Sequence, residues 1–378
     1  MTGAAARVYL DWNATAPLRP EARAAMLEAM DAVGNPSSVH AEGRAARALV
    51  ERARARVAAL ADCAPEEVVF TSGATEAAAL ALAGRETVIA SATDHDCVLA
   101  HALDTVRHPS DRDGVVRIGE GVDAEGVCLL GEGDAVTTPV ANSETGVLSP
   151  AGENAARLRA DLPRGAVIFA DAVQAVGRTG WSFADTGADL ACLSAHKLGG
   201  PTGTGALVVR QGVDLDTPLK GGGQETGRRS GTENVIGIAG FGAAAEAARR
   251  EREAGVWERV EFLRIILENT LEGAVPDLIL VGRDAPRLPN TSCFAVPGWK
   301  GETQVMQMDL AGFAVSAGSA CSSGKVRESR VLRAMGLEAE SADSAIRVSL
   351  GPATTESEVR AFAEAWIAQY TRRRARAA

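Results

Sequence analysis

Between residues 66 and 200, short apolar runs alternate with polar, helix-forming stretches. "EEVVF" leads into "TSGATEAAALAL", "ETVIAS" into "ATDHDCVLAHAL", "DAVTTPV" into "ANSETG", "GAVIFA" into "DAVQAVG" and "ADLACL" into "SAHKLGG". No other feature constrains the fold as much. Apolar strands separated by helical crossovers bury both faces of a mainly parallel sheet. Each run also ends in hydrogen-bonding or titratable side chains. These are Ser72 and Thr75, His95, Asn142 and Ser143, Asp171 and Gln174, then Ser194, His196 and Lys197. In an open parallel sheet the carboxyl ends of the strands share one edge, where ligands bind. Five such ends together point to one site.

The flanking segments have a different texture. A helix is expected over Arg19–Val33, with Ala22, Ala25, Met26, Ala29, Met30 and Val33 facing inward, and a second from about Val39 to Ala61. After Gly237 comes one long helical region, "IAGFGAAAEAARREREAGVWERVEFLRIILENTLEG". The short strands "DLILVG", "NTSCFAV", "FAVSAG" and "AIRVSLG" follow, and then a last helix opened by a capping box of Thr355 and Glu358. That helix has an inward stripe of Val359, Phe362, Ala363, Trp366, Ile367 and Tyr370. With 378 residues, one core stops growing and the chain divides. The expected fold is α/β: a large domain over 13–250 with a mainly parallel seven-stranded sheet, and a smaller α+β domain from 1–12 and 251–378.

Bulk properties exclude several classes. Net charge is 39 − 49 = −10, which argues against nucleic-acid binding. No apolar stretch reaches membrane-spanning length and no signal peptide is expected, so a cytoplasmic location is. Six cysteines without a C-x-x-C suggest neither a disulfide framework nor a structural zinc site, and no metal is expected.

"TSGAT" between a strand and a helix offers free N–H groups and hydroxyls, either as a phosphate cradle or as plain helix capping. Asp171 ends an apolar run and needs a cation or donor partner. Lys197 is one choice, in a structural salt bridge. The second choice is pyridoxal phosphate (PLP), which requires a Schiff-base lysine, a carboxylate at the pyridinium nitrogen and a phosphate cradle. Here each of these lies at a strand end.

"TSGATEAAALAL", "SATDHDCVLA", "ANSETGV", "DAVQAVG", "SAHKLGGPTGTGALVVR", "GGGQETGRRSGTEN", "SAGSACSSGK" and "AIRVSLG" resemble the cysteine desulfurases. These are PLP enzymes of the class V aminotransferase superfamily, fold type I, and the likeness to their nitrogen-fixation and housekeeping iron–sulfur branch covers nearly the whole chain. It implies that Lys197 carries PLP, Asp171 pairs with the ring nitrogen and Gln174 bonds the ring hydroxyl. It further implies that His95 stacks on the ring and moves protons, while Ala74, Thr75, Ser194 and His196 bind the phosphate. Thr232 would reach the neighbouring subunit's phosphate, making a homodimer. Arg347 and Asn35 resemble the groups that hold the substrate carboxylate, with Asn142 beside the substrate. Taken without the resemblance, Arg347 could face solvent and Asn35 could be a turn residue.

Five cysteines, Cys63, Cys97, Cys128, Cys192 and Cys293, adjoin apolar residues and read as small buried hydrophobes. Cys321 differs: its Gly-, Ser- and Ala-rich surroundings, about residues 316–328, indicate an exposed, mobile loop. In the resembling family such a cysteine takes sulfur from L-cysteine as a persulfide, leaves L-alanine, and delivers the sulfur to an iron–sulfur scaffold or other acceptor. Two departures stand out. Relatives carry Asn-Asn-Glu where this chain has Asn142-Ser143-Glu144, leaving Ser143 to contact the cofactor. The stretch "VDAEGVCLLGEGDAVTTPV" is also short, suggesting a trimmed domain edge. The competing readings are another class V enzyme, such as a selenocysteine lyase or small-amino-acid aminotransferase, and a non-catalytic sulfur carrier.

Overall fold

A computed structural model describes residues 7–102, 107–116, 131, 133–317 and 328–377. Cys128 and Cys321, most of the shortened stretch and all but the ends of the 316–328 loop lie outside these residues.

Period-two alternation builds the main sheet. Its strands are β2 (Val68–Thr71), β3 (Val88–Ser91), β4 (Arg107–His108), β5 (Ala135–Pro139), β6 (Val167–Asp171), β7 (Leu190–Ser194) and β8 (Gly205–Val209), in the order β2-β8-β7-β6-β5-β3-β4. Only β8 runs antiparallel to its neighbours; the other pairs are parallel. Successive residues bury on opposite faces. Phe70, Ile89, Val136, Ile168 and Leu193 join one core with the helices Ala41–Ala61 and Val235–Glu253, whereas Val69, Val88, Ala135, Phe169 and Leu190 join another with the helix Ala74–Leu82.

The remaining strands are β1 (Val8–Tyr9), β9 (Ile279–Leu280), β10 (Thr291–Ala295), β11 (Phe313–Ala314), β12 (Ser316–Ala317) and β13 (Ala345–Ser349). An antiparallel sheet β12-β13-β10-β9 and a parallel β1-β11 pair rest on a separate core, in which Phe294 and Trp299 pack on Trp366 of the helix Glu356–Ala377. Thr355 and Glu358 cap that helix reciprocally.

The fold departs from the sequence expectations in several stretches. The long helical region is two helices, Val235–Glu253 and Val256–Ala274, because Gly255 turns into the left-handed region at φ 71°. "ANSETG" and "DAVQAVG" form turns, not helices; the crossovers are instead Ala151–Asp161 and Phe183–Thr186. The first helix, Pro20–Asp31, packs through Ala22 and Ala29, while Met30 is 55% and Val33 81% exposed.

Candidate active site

A cavity of about 450 Å³ lies at the carboxyl ends of β2, β3, β5, β6 and β7. The residues after those strands line it: Ser72 to Glu76, Thr93 to His95 with Cys97, Ala141 to Ser143, Asp171 with Val173 and Gln174, and Ser194 with His196 and Lys197. The smaller part of the chain adds Arg347, from the middle of β13, and the amino-terminal segment adds Asn13. Of the expected residues, Lys197, His95, Asp171, Gln174, Ala74, Thr75, Ser194, His196, Ser143, Arg347 and Asn142 therefore meet in one place. Asn35 and Thr232 are exposed and do not border the cavity of a single chain. Asn35 Oδ1 accepts the Ser37 N–H in a local turn.

Lys197 closes a 3-10 turn (Ala195–Lys197) and donates from Nζ to the carbonyls of Asn13 (2.6 Å) and Ala14 (2.8 Å). Asp171 stands at the carboxyl end of β6 and lines the same cavity. Its Oδ1 accepts from the Val173 N–H, and the Cys192 thiol lies at 3.6 Å. The Gln174 amide is buried, donating to the Asn13 carbonyl and accepting from Arg178. His95 caps the short helix Asp96–Leu99: Nδ1 accepts the Cys97 N–H at 3.2 Å, which puts the neutral ring's proton on Nε2. Cys97, expected as a buried hydrophobe, instead lines the cavity, with Sγ 3.1 Å from His95 Nδ1. Cys192 and Cys293 are buried as expected, and Cys63 is half-buried. Burial pushes the Cys63 and Cys293 thiols up to about 12, and Cys192 well above its ordinary value, so these three stay inert thiols at neutral pH.

The cradle has room for a group. Gly73 begins the helix Ala74–Leu82 with no side-chain cap, so neither Ser72 nor Thr75 caps it. A methyl group added at Gly73 or Gly203 would meet no protein atom within 4 Å. Burial, Lys197 and Arg178 push His196 down to about 4, which leaves the ring neutral and able to donate one hydrogen bond. The open carboxylate of Asp171, the lysine amine and the uncapped helix start make up the donor and acceptor set that a pyridine ring with a phosphate arm requires.

Arg347 is buried. It donates to the Ser143 carbonyl (2.9 Å) and pairs with Asp11 (2.7 Å), and its Nε has no partner. Asp11 also accepts from Ser316, at one root of the 316–328 loop; beyond the other root, Ser329 donates to Glu144 at 2.6 Å. Asn142 spends its side chain on the turn, donating to the Thr93 carbonyl and accepting from the Glu144 and Thr145 N–H groups. Burial raises Glu144 to about 7 and Asp94, in the cavity wall, to about 6.

Sequence reasoning missed Asn13, Arg178, Asp94 and Glu144. Asn13 is 1% exposed and joins both parts of the chain: Nδ2 donates to the Ser143 carbonyl and Thr291 Oγ1, and Oδ1 accepts from Arg178 and Asn290. The only signal for Asp94 was its place beside His95.

A lysine at the carboxyl edge of this sheet, opposite a carboxylate and a phosphate-sized cradle, defines the fold-type I architecture. A solved structure of a NifS-like protein from Rickettsia africae superposes with a TM-score of 0.87 at 30% identity, covering 97% of this chain and 99% of that one. Another, of SspA in complex with cysteine, gives a TM-score of 0.73 at 26% identity, over 92% of this chain and all of that one. The curated cysteine desulfurase of Cereibacter sphaeroides is 41% identical over 370 residues, 93% of either chain. The chain belongs to the aminotransferase class-V family, whose model matches residues 8–362, and stands among its cysteine desulfurases.

Proposed function

We propose that the chain uses PLP held on Lys197 to remove sulfur from L-cysteine, giving L-alanine and a persulfide on Cys321. The carrying observation is the convergence of Lys197, Asp171, His95 and Arg347 on one cavity. When bound, the cofactor supplies an electron sink for the carbanion formed at the substrate α-carbon. Lys197 would hold it, Asp171 would face the ring nitrogen, and the second Nε2 hydrogen of Gln174 would reach the ring hydroxyl. Ala74, Thr75, Ser194 and neutral His196 would hold the phosphate, and Thr232 would reach the phosphate in a partner subunit. Arg347 would take the substrate carboxylate, which Asn142 and Ser143 flank, and Asn35 would add to that grip. His95, whose Nδ1 accepts the Cys97 N–H, would exchange protons with substrate through Nε2.

The sulfur step needs no external oxidant. A Cys321 thiolate attacks the substrate sulfur and an S–S bond forms. The Cβ–S bond breaks with its electron pair remaining on carbon, which takes a proton. The persulfide then passes to an iron–sulfur scaffold or other acceptor. A cytoplasmic homodimer completes the reading. Exposed Leu18, Leu27, Met30, Val33 and Val39 support an apolar contact between copies, and the two separate cores support the division at residues 12/13 and 250/251. The test is Cys321→Ala: the variant should keep the cofactor's visible absorbance and form no persulfide with L-cysteine. Undiminished sulfide release would overturn the assignment.

A further inference from the structure

Among the described residues, other buried or nearly buried guanidinium groups come with carboxylates: Arg54 with Glu225, Arg264 with Glu268, Arg347 with Asp11. Arg178 breaks the pattern. It is 4% exposed and donates only to neutral oxygens, at 2.8 Å to Asn13 Oδ1, 2.7 Å to Gln174 Oε1 and 3.1 Å to the carbonyl of Lys197. Among the described residues no carboxylate pairs with it, and its remaining company is the ring of Trp257 at 6.0 Å. The chain reaches this position through Gly177, at φ 75°, where an added Cβ would stand 2.9 Å from Leu198. The turn thus carries Arg178 under the lysine. A buried charge without a counter-ion is unfavourable, so it survives only where the surrounding network holds it.

We propose that Arg178 is a positioning residue, a fixed and uncompensated cation that keeps the amine of Lys197 neutral and nucleophilic, with Asn13 as the strut between them. The connection is direct: Asn13 accepts Arg178 on its side-chain oxygen and Lys197 on its carbonyl, and Arg178 also grips the Lys197 carbonyl. A nearby like charge disfavours an ammonium ion, and a neutral lysine is the form that attacks a carbonyl. The charged groups described around the pair are these. Among the described residues Arg19 and Arg347 already have Glu251 and Asp11, His196 is neutral, and of the two carboxylates that share the cavity, Asp94 follows β3 and Asp171, on the neighbouring strand end, is the one assigned to the cofactor's ring nitrogen. Burial, Arg347 and Arg19 push Arg178 itself down to about 9, which leaves it charged at neutral pH.

This inference rests on Lys197 being the cofactor lysine, and the experiment separates the two. The PLP-loaded protein is titrated by visible absorbance between about pH 6 and 10, which follows the proton on the lysine–cofactor nitrogen. Arg178→Gln should raise the midpoint by on the order of one pH unit, about a tenfold gain in proton affinity. Asn13→Asp, which neutralises Arg178 in place, should do the same, and Arg178→Lys should stay within about 0.3 unit of the parent. If Arg178→Gln does not accumulate as folded protein by circular dichroism, Asn13→Asp decides. An unshifted midpoint in the folded, loaded Arg178→Gln or Asn13→Asp protein overturns the inference alone. Covalent capture of PLP by borohydride in Lys197→Ala would instead overturn the reading of the lysine.

Discussion

Asp94 offers a test of the site's electrostatics that needs no turnover. Its carboxyl is 2% exposed; Oδ2 accepts from the Ser91 N–H at 2.8 Å and Thr137 Oγ1 at 2.5 Å, and Oδ1 has no partner. Burial outweighs those two bonds and raises the group from 3.8 to about 6. Below about pH 3.8 both folded and unfolded chains hold the proton, and the group's stabilising contribution is complete. From there to about 6 the folded chain keeps a proton that the unfolded chain has lost, so the contribution declines as pH rises, and above about 6 it is gone. The interval of about 2.2 pH units corresponds to about 3 kcal/mol. Asp94→Asn keeps an acceptor for the Ser91 turn and cannot titrate. Urea unfolding of both proteins at about pH 4.5 and 7.5 should show the variant gaining on the parent by about 2 kcal/mol between the two. His108 and His196, pushed down to about 4, act with the opposite sign but equally in both proteins. The same difference at both pH values would refute the reasoning.

Two further outcomes concern the cradle and the substrate grip. A Cβ at Gly205 would stand 2.6 Å from both Gly73 Cα and the Leu193 carbonyl, backbone that cannot swing aside, so Gly205→Ala should weaken PLP affinity at least about tenfold by equilibrium dialysis. Arg347→Lys loses the planar fork that spans Ser143 and Asp11, and should raise KM for L-cysteine about tenfold while leaving the cofactor's visible spectrum unchanged.

Much of this site was legible in the chain because strand periodicity and strand ends are local properties. Five apolar runs indicated a parallel sheet, the residues after each run proved to share an edge, and Lys197, Asp171 and His95 followed. Arg347 needed the family likeness, since alternation alone let it face water; in the structure it is 2% exposed. What stayed hidden depends on distant contacts. Asn13 reads as an ordinary residue after a strand, yet its partners are Ser143, Arg178, Asn290 and Thr291. Arg178 follows a glycine in a turn taken for a helix, and nothing local says that it is buried without a carboxylate. Cys97 looked apolar because of its neighbours, whereas the short helix that His95 caps turns its sulfur to the cavity. In the first helix, Met30 and Val33 fit an inward stripe, but the close approach of Gly240 to Met26 lets that helix pack through its alanines.

The amino-terminal ribbon has a practical consequence for handling this protein. Val8 and Tyr9 pair with β11, Asn13 grips the lysine network, and the Ala16 N–H donates to the His196 carbonyl at 2.8 Å. A bulky fusion tag or a protease nick within residues 8–16 would disturb the wall of the candidate site itself. Purification handles belong instead after the final helix, none of whose residues borders the cavity.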